Sequence, residues 1–105
     1  MTAQTQSQIN QITSKVEPIL KKYPIRKAGL FGSVTRGDST KDSDIDMLID
    51  ITPNSGISLL DYVRIKLELE DALGKKVDLV RYNTIKPALV DQIIPYEVRI
   101  YEANS

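Results

Sequence analysis

Phe31 to Ile51 reads FGSVTRGDSTKDSDIDMLIDI. The stretch decides the fold because it changes character in the middle. Its first half is a turn punctuated by glycine and serine. Its second half, from Asp44 to Ile51, alternates carboxylates with apolar residues as a half-buried strand does. Asp44 and Asp46 stand two apart, so on a strand they share a face, roughly 6–7 Å apart along the backbone. Ile45, Met47, Ile49 and Ile51 take the other face, where helices can cover them. Two ionised carboxylates side by side on a partly desolvated surface repel each other. A divalent cation between them removes that cost. Asp78 repeats the design in VDLV, alone between Val77 and Leu79. If its strand lies beside the first, three carboxylates converge. That is enough for two Mg²⁺ ions whose shells water and phosphate oxygens complete.

Gly32 and Ser33 supply the complementary half. A glycine lets a phosphate approach the backbone, and the N–H groups at a helix start, with a serine hydroxyl, bind phosphate oxygens. A nucleoside triphosphate carrying Mg²⁺ needs both a phosphate cradle and an acidic rim. Each piece alone has a plainer reading. An isolated Asp-x-Asp is a solvated, charged strand edge that discourages aggregation, Gly32 is a turn residue, and Ser33 is a helix cap. Arg36 is as well suited to bracing its own loop through Asp38 or Asp42 as to meeting substrate. The pattern as a whole favours a site.

Composition narrows the chemistry. The 105 residues suit one domain with one modest core. Lysine and arginine number 14 and so do aspartate and glutamate. This neutral balance is unlike a protein built to hold long nucleic acid. Cysteine and histidine are absent, which removes disulfides, thiolate nucleophiles, zinc-finger ligation and histidine triads. A bound metal would need oxygen ligands, which favours Mg²⁺ or Mn²⁺. No apolar run reaches membrane-spanning length and no signal-peptide core is present, so a cytoplasmic protein is expected.

Around the deciding stretch the chain alternates strands and helices. Residues 1–7 (MTAQTQS) are polar and read as a disordered N-terminus, leaving a single domain over residues 8–105. From Gln8 to Tyr23, Ile9, Ile12, Val16, Ile19 and Leu20 recur at helical spacing, with Pro18 placed to kink or break the helix. Ile25 to Phe31 is a first strand. Ser58 to Leu73 is the strongest helix, opened by a Ser58/Asp61 capping box and stopped at Gly74. Its apolar positions Leu59, Leu60, Val63, Leu67 and Leu73 predict a buried face. Lys76 to Arg81 is a third strand, Thr84 to Ile94 a helix with Pro87 in its first turn, and Glu97 to Tyr101 a last strand. Ile93, Ile94, Tyr96, Val98, Ile100 and Tyr101 are more apolar surface than so small a domain can bury, which predicts an interface. The fold class is α/β (α+β), a small mixed sheet flanked by helices.

The motif GSVTRG, followed by SDID and by Asp78 in a strand after a helix, resembles the DNA polymerase beta-like nucleotidyltransferase superfamily. More closely, it resembles the minimal, MNT-type branch found in toxin–antitoxin modules with HEPN-domain proteins. Thr35 departs from the alanine common before the Arg-Gly pair; no carboxylate is affected. The resemblance spans Ile25 to Tyr101 and implies a minimal polymerase-beta-like palm. It implies that Asp44 and Asp46 hold two metal ions. Asp78 would hold one of them and help deprotonate the acceptor hydroxyl. Gly32, Ser33 and Arg36 would bind nucleotide. It implies a Mg²⁺-dependent protein adenylyltransferase that moves AMP from ATP to a hydroxyl, a tyrosine being favoured, of a HEPN toxin, and thereby acts as antitoxin in a hetero-oligomer. Two other functions stay open on the sequence. The chain could neutralise its partner by occlusion without turnover, or modify a small molecule in a pocket completed by a partner subunit.

Overall fold

A computed structural model describes residues 2–103. The chain runs α1 (Ala3–Lys22), β1 (Ile25–Phe31), α2 (Ser33–Arg36), β2 (Ile45–Ile51), α3 (Leu59–Leu73), β3 (Val77–Arg81), α4 (Pro87–Ile93) and β4 (Val98–Glu102). Short 3₁₀ turns at Tyr82–Thr84 and Ile94–Tyr96 flank α4. The four strands form one mixed sheet in the order β3-β2-β1-β4. β1 pairs antiparallel with both β2 and β4. β2 and β3 are parallel because α3 carries the chain back across the sheet between them.

The alternation read from the sequence sets the layers. Ile45, Met47, Ile49 and Ile51 join a core with Ile9, Ile12, Val16, Ile19 and Leu20 of α1 and with Ile65 and Leu69 of α3. Helices α1 and α3 therefore cover one face of the sheet. Asp46 and Asp50 occupy the other face of β2, with the fully buried Leu48 between them.

Three expectations give way here. The N-terminal segment is not frayed: α1 starts at Ala3, with Thr2 as its cap accepting from the Thr5 N–H at 3.1 Å. Thr5 is only 6% exposed, so a polar sequence conceals a packed first turn. Met1, Asn104 and Ser105 of the expected boundaries lie outside the described residues. Nor does Pro18 end α1, which continues to Lys22; the helix gives up one backbone hydrogen bond there and keeps its buried stripe.

The third concerns α3. Its capping box and its αL stop at Gly74 are present as read. Its buried face is different: Ile65 and Leu69 are enclosed, with Tyr62, Ala72 and Leu73 packed at the margin, while Leu59, Leu60, Val63 and Leu67 are exposed. The helix carries two apolar stripes, and polar contacts select between them. The Tyr62 hydroxyl donates to the Leu79 carbonyl at 2.6 Å. Glu68 accepts from Lys22 and Tyr23, and Glu70 accepts from the Val77 N–H at 2.9 Å. Together these fix the rotation of α3 about its axis.

Candidate active site

Gly32 is where β1 ends and α2 begins. It takes the cap position of α2 with φ 74° and ψ −146°, a conformation that side-chain-bearing residues avoid. A Cβ built on it would collide with the Asp46 carboxylate. The glycine is therefore required twice, by its dihedrals and by the carboxylate against it. The register explains the proximity, since Phe31 pairs with Asp46 across the β1–β2 ladder. Ser33 is the first residue of α2 rather than its cap, and it lines the same pocket as Gly32 and Asp46.

Asp46 pairs in register with Asp78 on the parallel neighbour β3, which puts both carboxylates on the open face. Asp46 is half-buried, and its carboxyl is raised above the ordinary range. Burial is the largest cause; the charges of Asp78 and then Asp44 add to it, and Arg36 partly offsets them. Arg36 also pairs with Asp38 at 3.2 Å. It therefore braces its own loop through Asp38, one of the two roles the sequence leaves open, and its charge also reaches Asp46.

A pocket of about 670 Å³ opens at this point. One side is Gly32, Ser33, Thr35, Arg36 and Asp46; the opposite wall is Leu89, Gln92 and Ile93 of α4 with Tyr96. The wall is tied to the sheet from below. Glu97 accepts from the Tyr82 hydroxyl and, at 2.9 Å, from Arg99 Nε. Burial is the main reason the Tyr82 hydroxyl is raised above its usual value. A Cβ on Gly29 would strike the Glu97 side chain. A glycine inside a strand signals a close approach, so this anchor had one legible sign. The wall residues of α4 had none specific to a pocket.

Residues 14–105 match the family described as polymerase beta, nucleotidyltransferase. The chain belongs to this family. It is 48% identical over 86 residues to a candidate protein adenylyltransferase of Methanocaldococcus jannaschii, covering 82% of this chain and 90% of that one. It is 32% identical over 83 residues to the protein adenylyltransferase MntA of Thermococcus cleftensis, covering 79% and 82%. Among solved structures, a minimal nucleotidyltransferase candidate superposes with a TM-score of 0.67 at 30% identity, covering 90% of this chain and 93% of the other. A toxin–antitoxin structure with AMP-PNP shares the fold with a TM-score of 0.72 at 21% identity, covering 88% and 74%. So does a tri-AMPylated HEPN toxin in complex with MNT antitoxin from Shewanella oneidensis, with a TM-score of 0.67 at 18% identity, covering 90% and 73%.

For this nucleotidyltransferase chain the donor set is all oxygen and acidic, and Asp46 is penalised by the carboxylates around it. Both properties fit a hard divalent cation. The three carboxylates are nonetheless more open than the sequence reading has them. Among the described residues no three acidic side chains are gathered closely enough to grip an ion as they stand. Asp44 is exposed and precedes β2, so the pleat does not fix it, and Asp78 is exposed as well. No helix among the described residues is long and apolar enough to cross a membrane.

Proposed function

We propose that this chain transfers AMP from Mg-ATP to a hydroxyl of a HEPN-domain partner, a tyrosine being the favoured acceptor, and that the modification silences the partner. The observation that carries the proposal is the fit between Gly32 and Asp46, which joins a phosphate-binding turn to an acidic site inside one pocket. The protein adenylyltransferase relatives and the toxin–antitoxin neighbours support it.

The residues have separate tasks. Gly32 and Ser33 receive the terminal phosphates through backbone N–H groups and hydroxyl, and Arg36 adds positive charge at the same rim. Asp44 and Asp46 would hold the two divalent cations, and Asp78 would complete the ligands of one of them. When bound, Mg²⁺ neutralises charge on the triphosphate and lowers the cost of ionising the acceptor hydroxyl. Asp78 accepts the proton as the acceptor oxygen bonds to the α-phosphorus. The bond from that phosphorus to the bridging oxygen breaks, and pyrophosphate leaves with its electron pair.

The test is mass spectrometry of the HEPN partner after incubation with this chain, ATP and Mg²⁺. Addition of AMP to the partner is expected. A partner that is inhibited but unmodified would show neutralisation by occlusion instead. The exposed Leu59, Leu60, Val63 and Leu67 of α3 give that second reading a surface.

A further inference from the structure

The pocket that starts at Gly32 has a second end with no role in the chemistry described so far. Its far wall, Leu89, Gln92, Ile93 and Tyr96, comes from a segment with little packing of its own. No residue of α4 is buried, Leu89 is 40% exposed and Tyr96 is 65% exposed. The spacing of Leu89, Ile93 and Tyr96 puts them along one side of the α4 segment, turned to the pocket. Val90 and Ile94, equally apolar, are not part of this wall. An aromatic ring and two aliphatic side chains opposite a polar, acidic rim have no core to join, yet the Tyr82–Glu97–Arg99 anchor holds their base against the sheet. A cavity with the Gly32-Ser33 turn at one end and a mostly apolar wall at the other matches a molecule with the same polarity. The volume of about 670 Å³ is in the range of nucleotide-sized ligands.

We propose that this wall is the base subsite of the nucleotide and that Gln92 selects the base. The purine rests on Tyr96, Leu89 and Ile93 while the triphosphate lies at Gly32 and Ser33. The Gln92 carboxamide offers a donor beside an acceptor, the pattern that pairs with the amino group and ring nitrogen of adenine. The corresponding edge of guanine presents two acceptors. The inference rests on the nucleotidyltransferase reading, and its test is chosen to fail separately from it.

The probes are ATP, GTP and inorganic tripolyphosphate, each titrated calorimetrically with Mg²⁺ into the wild-type chain and into Tyr96→Ala, Leu89→Ser and Gln92→Leu. Thermal melts confirm folding, which these exposed positions should leave intact. Tyr96→Ala and Leu89→Ser should weaken ATP about 10- to 100-fold, the loss of one stacked base, and leave tripolyphosphate unchanged. Gln92→Leu should reduce the preference for ATP over GTP by about tenfold. If ATP and tripolyphosphate both bind the wild type and the wall variants bind ATP normally, the base lies elsewhere and this inference is overturned. Equal losses for ATP and tripolyphosphate would also overturn it, since the wall would then support the phosphate end. If the wild type binds neither, it is the nucleotidyltransferase reading that fails.

Discussion

Asp46 and Asp78 face each other in register on adjacent parallel strands, and Gly32 lies against the first of them. The position is electrostatically unfavourable. Burial and the neighbouring carboxylates raise Asp46 above its ordinary value, so the folded state holds its proton more tightly than the unfolded chain does. The stability this represents is complete at low pH and is lost as pH rises through the folded-state value. At neutral pH the ionised carboxylate opposes folding.

Asp46→Asn should therefore stabilise the metal-free protein near neutral pH, raising its Tm by on the order of a few degrees. The gain should vanish below the ordinary carboxylate range. Mg²⁺ should raise the Tm of the wild type and have much less effect on the variant. Melts at pH 3 and pH 7.5, with and without Mg²⁺, measure all three effects. A lower Tm for Asp46→Asn at pH 7.5 would mean that the carboxylate supports the fold.

Gly32→Ala should show the opposite balance. The new methyl needs a backbone conformation reserved for glycine and strikes the Asp46 carboxylate. The cost should be about 1–3 kcal/mol in urea unfolding, together with loss of Mg-ATP binding. Gly56 is the control. It also has a positive φ, of 79°, but a Cβ there meets nothing within 4 Å. Gly56→Ala should lose some stability and keep nucleotide affinity. If the two variants bind ATP equally well, the contact between Gly32 and Asp46 does not shape the site.

The first turn of α1 yields a third test. Thr5 is buried where a Cβ on Gly37 would come within 2.9 Å of its hydroxyl, and Ser39 donates to Gln8 at 3.2 Å. The first two turns of α1 thus buttress the loop that follows Gly32 and Ser33, with Thr5 as the contact inside residues 2–7. Deleting residues 2–7 should cost at least the cap of α1, about 1 kcal/mol, and should also weaken tripolyphosphate binding. A deletion variant matching the wild type in both respects would show that the segment supports neither the fold nor the turn.

The difference between the disordered N-terminus expected and the structure shows what the sequence conveyed. The alternation from Ile45 to Ile51 and the Gly32-Ser33 turn were legible because each is local: a pleat of period two, and a glycine that no other residue replaces. The register that unites them, Phe31 with Asp46 and Asp46 with Asp78, follows once those strands are placed side by side. The rotation of α3 was not legible, because its two apolar stripes are equivalent to any periodicity and only distant partners such as Leu79 and Lys22 distinguish them. Thr5 was hidden for a related reason. A polar residue buried by tertiary contact leaves no hydropathy signal. The α4 wall was hidden because apolar residues that line a pocket look like residues of a core or an interface. Of the apolar run read as an interface, Val98, Ile100 and Tyr101 instead pack partly against the core, while Ile94 and Tyr96 stay exposed.

Asp78 permits the sharpest separation of binding from chemistry. It is exposed, sits on the edge strand β3 and faces Asp46 from outside the glycine turn. Replacing Asp46 removes the carboxylate that lies against Gly32, so binding and transfer should fall together. Asp78→Asn keeps the shape of the side chain and leaves the turn and Asp46 in place. It removes the proposed proton acceptor and one charge from the proposed metal site. Mg-ATP affinity should therefore stay within a fewfold of wild type, while transfer of AMP falls by roughly 10²–10⁴, the usual contribution of a general base. Such a loss lies in the transition state rather than in ground-state binding. Single-turnover transfer to the partner, measured beside calorimetric titration of Mg-ATP, reads the two quantities independently. The variant should also bind the partner without silencing it. Full neutralisation by Asp78→Asn would show that occlusion suffices, and loss of ATP binding in step with transfer would show that Asp78 belongs to the nucleotide's own metal site.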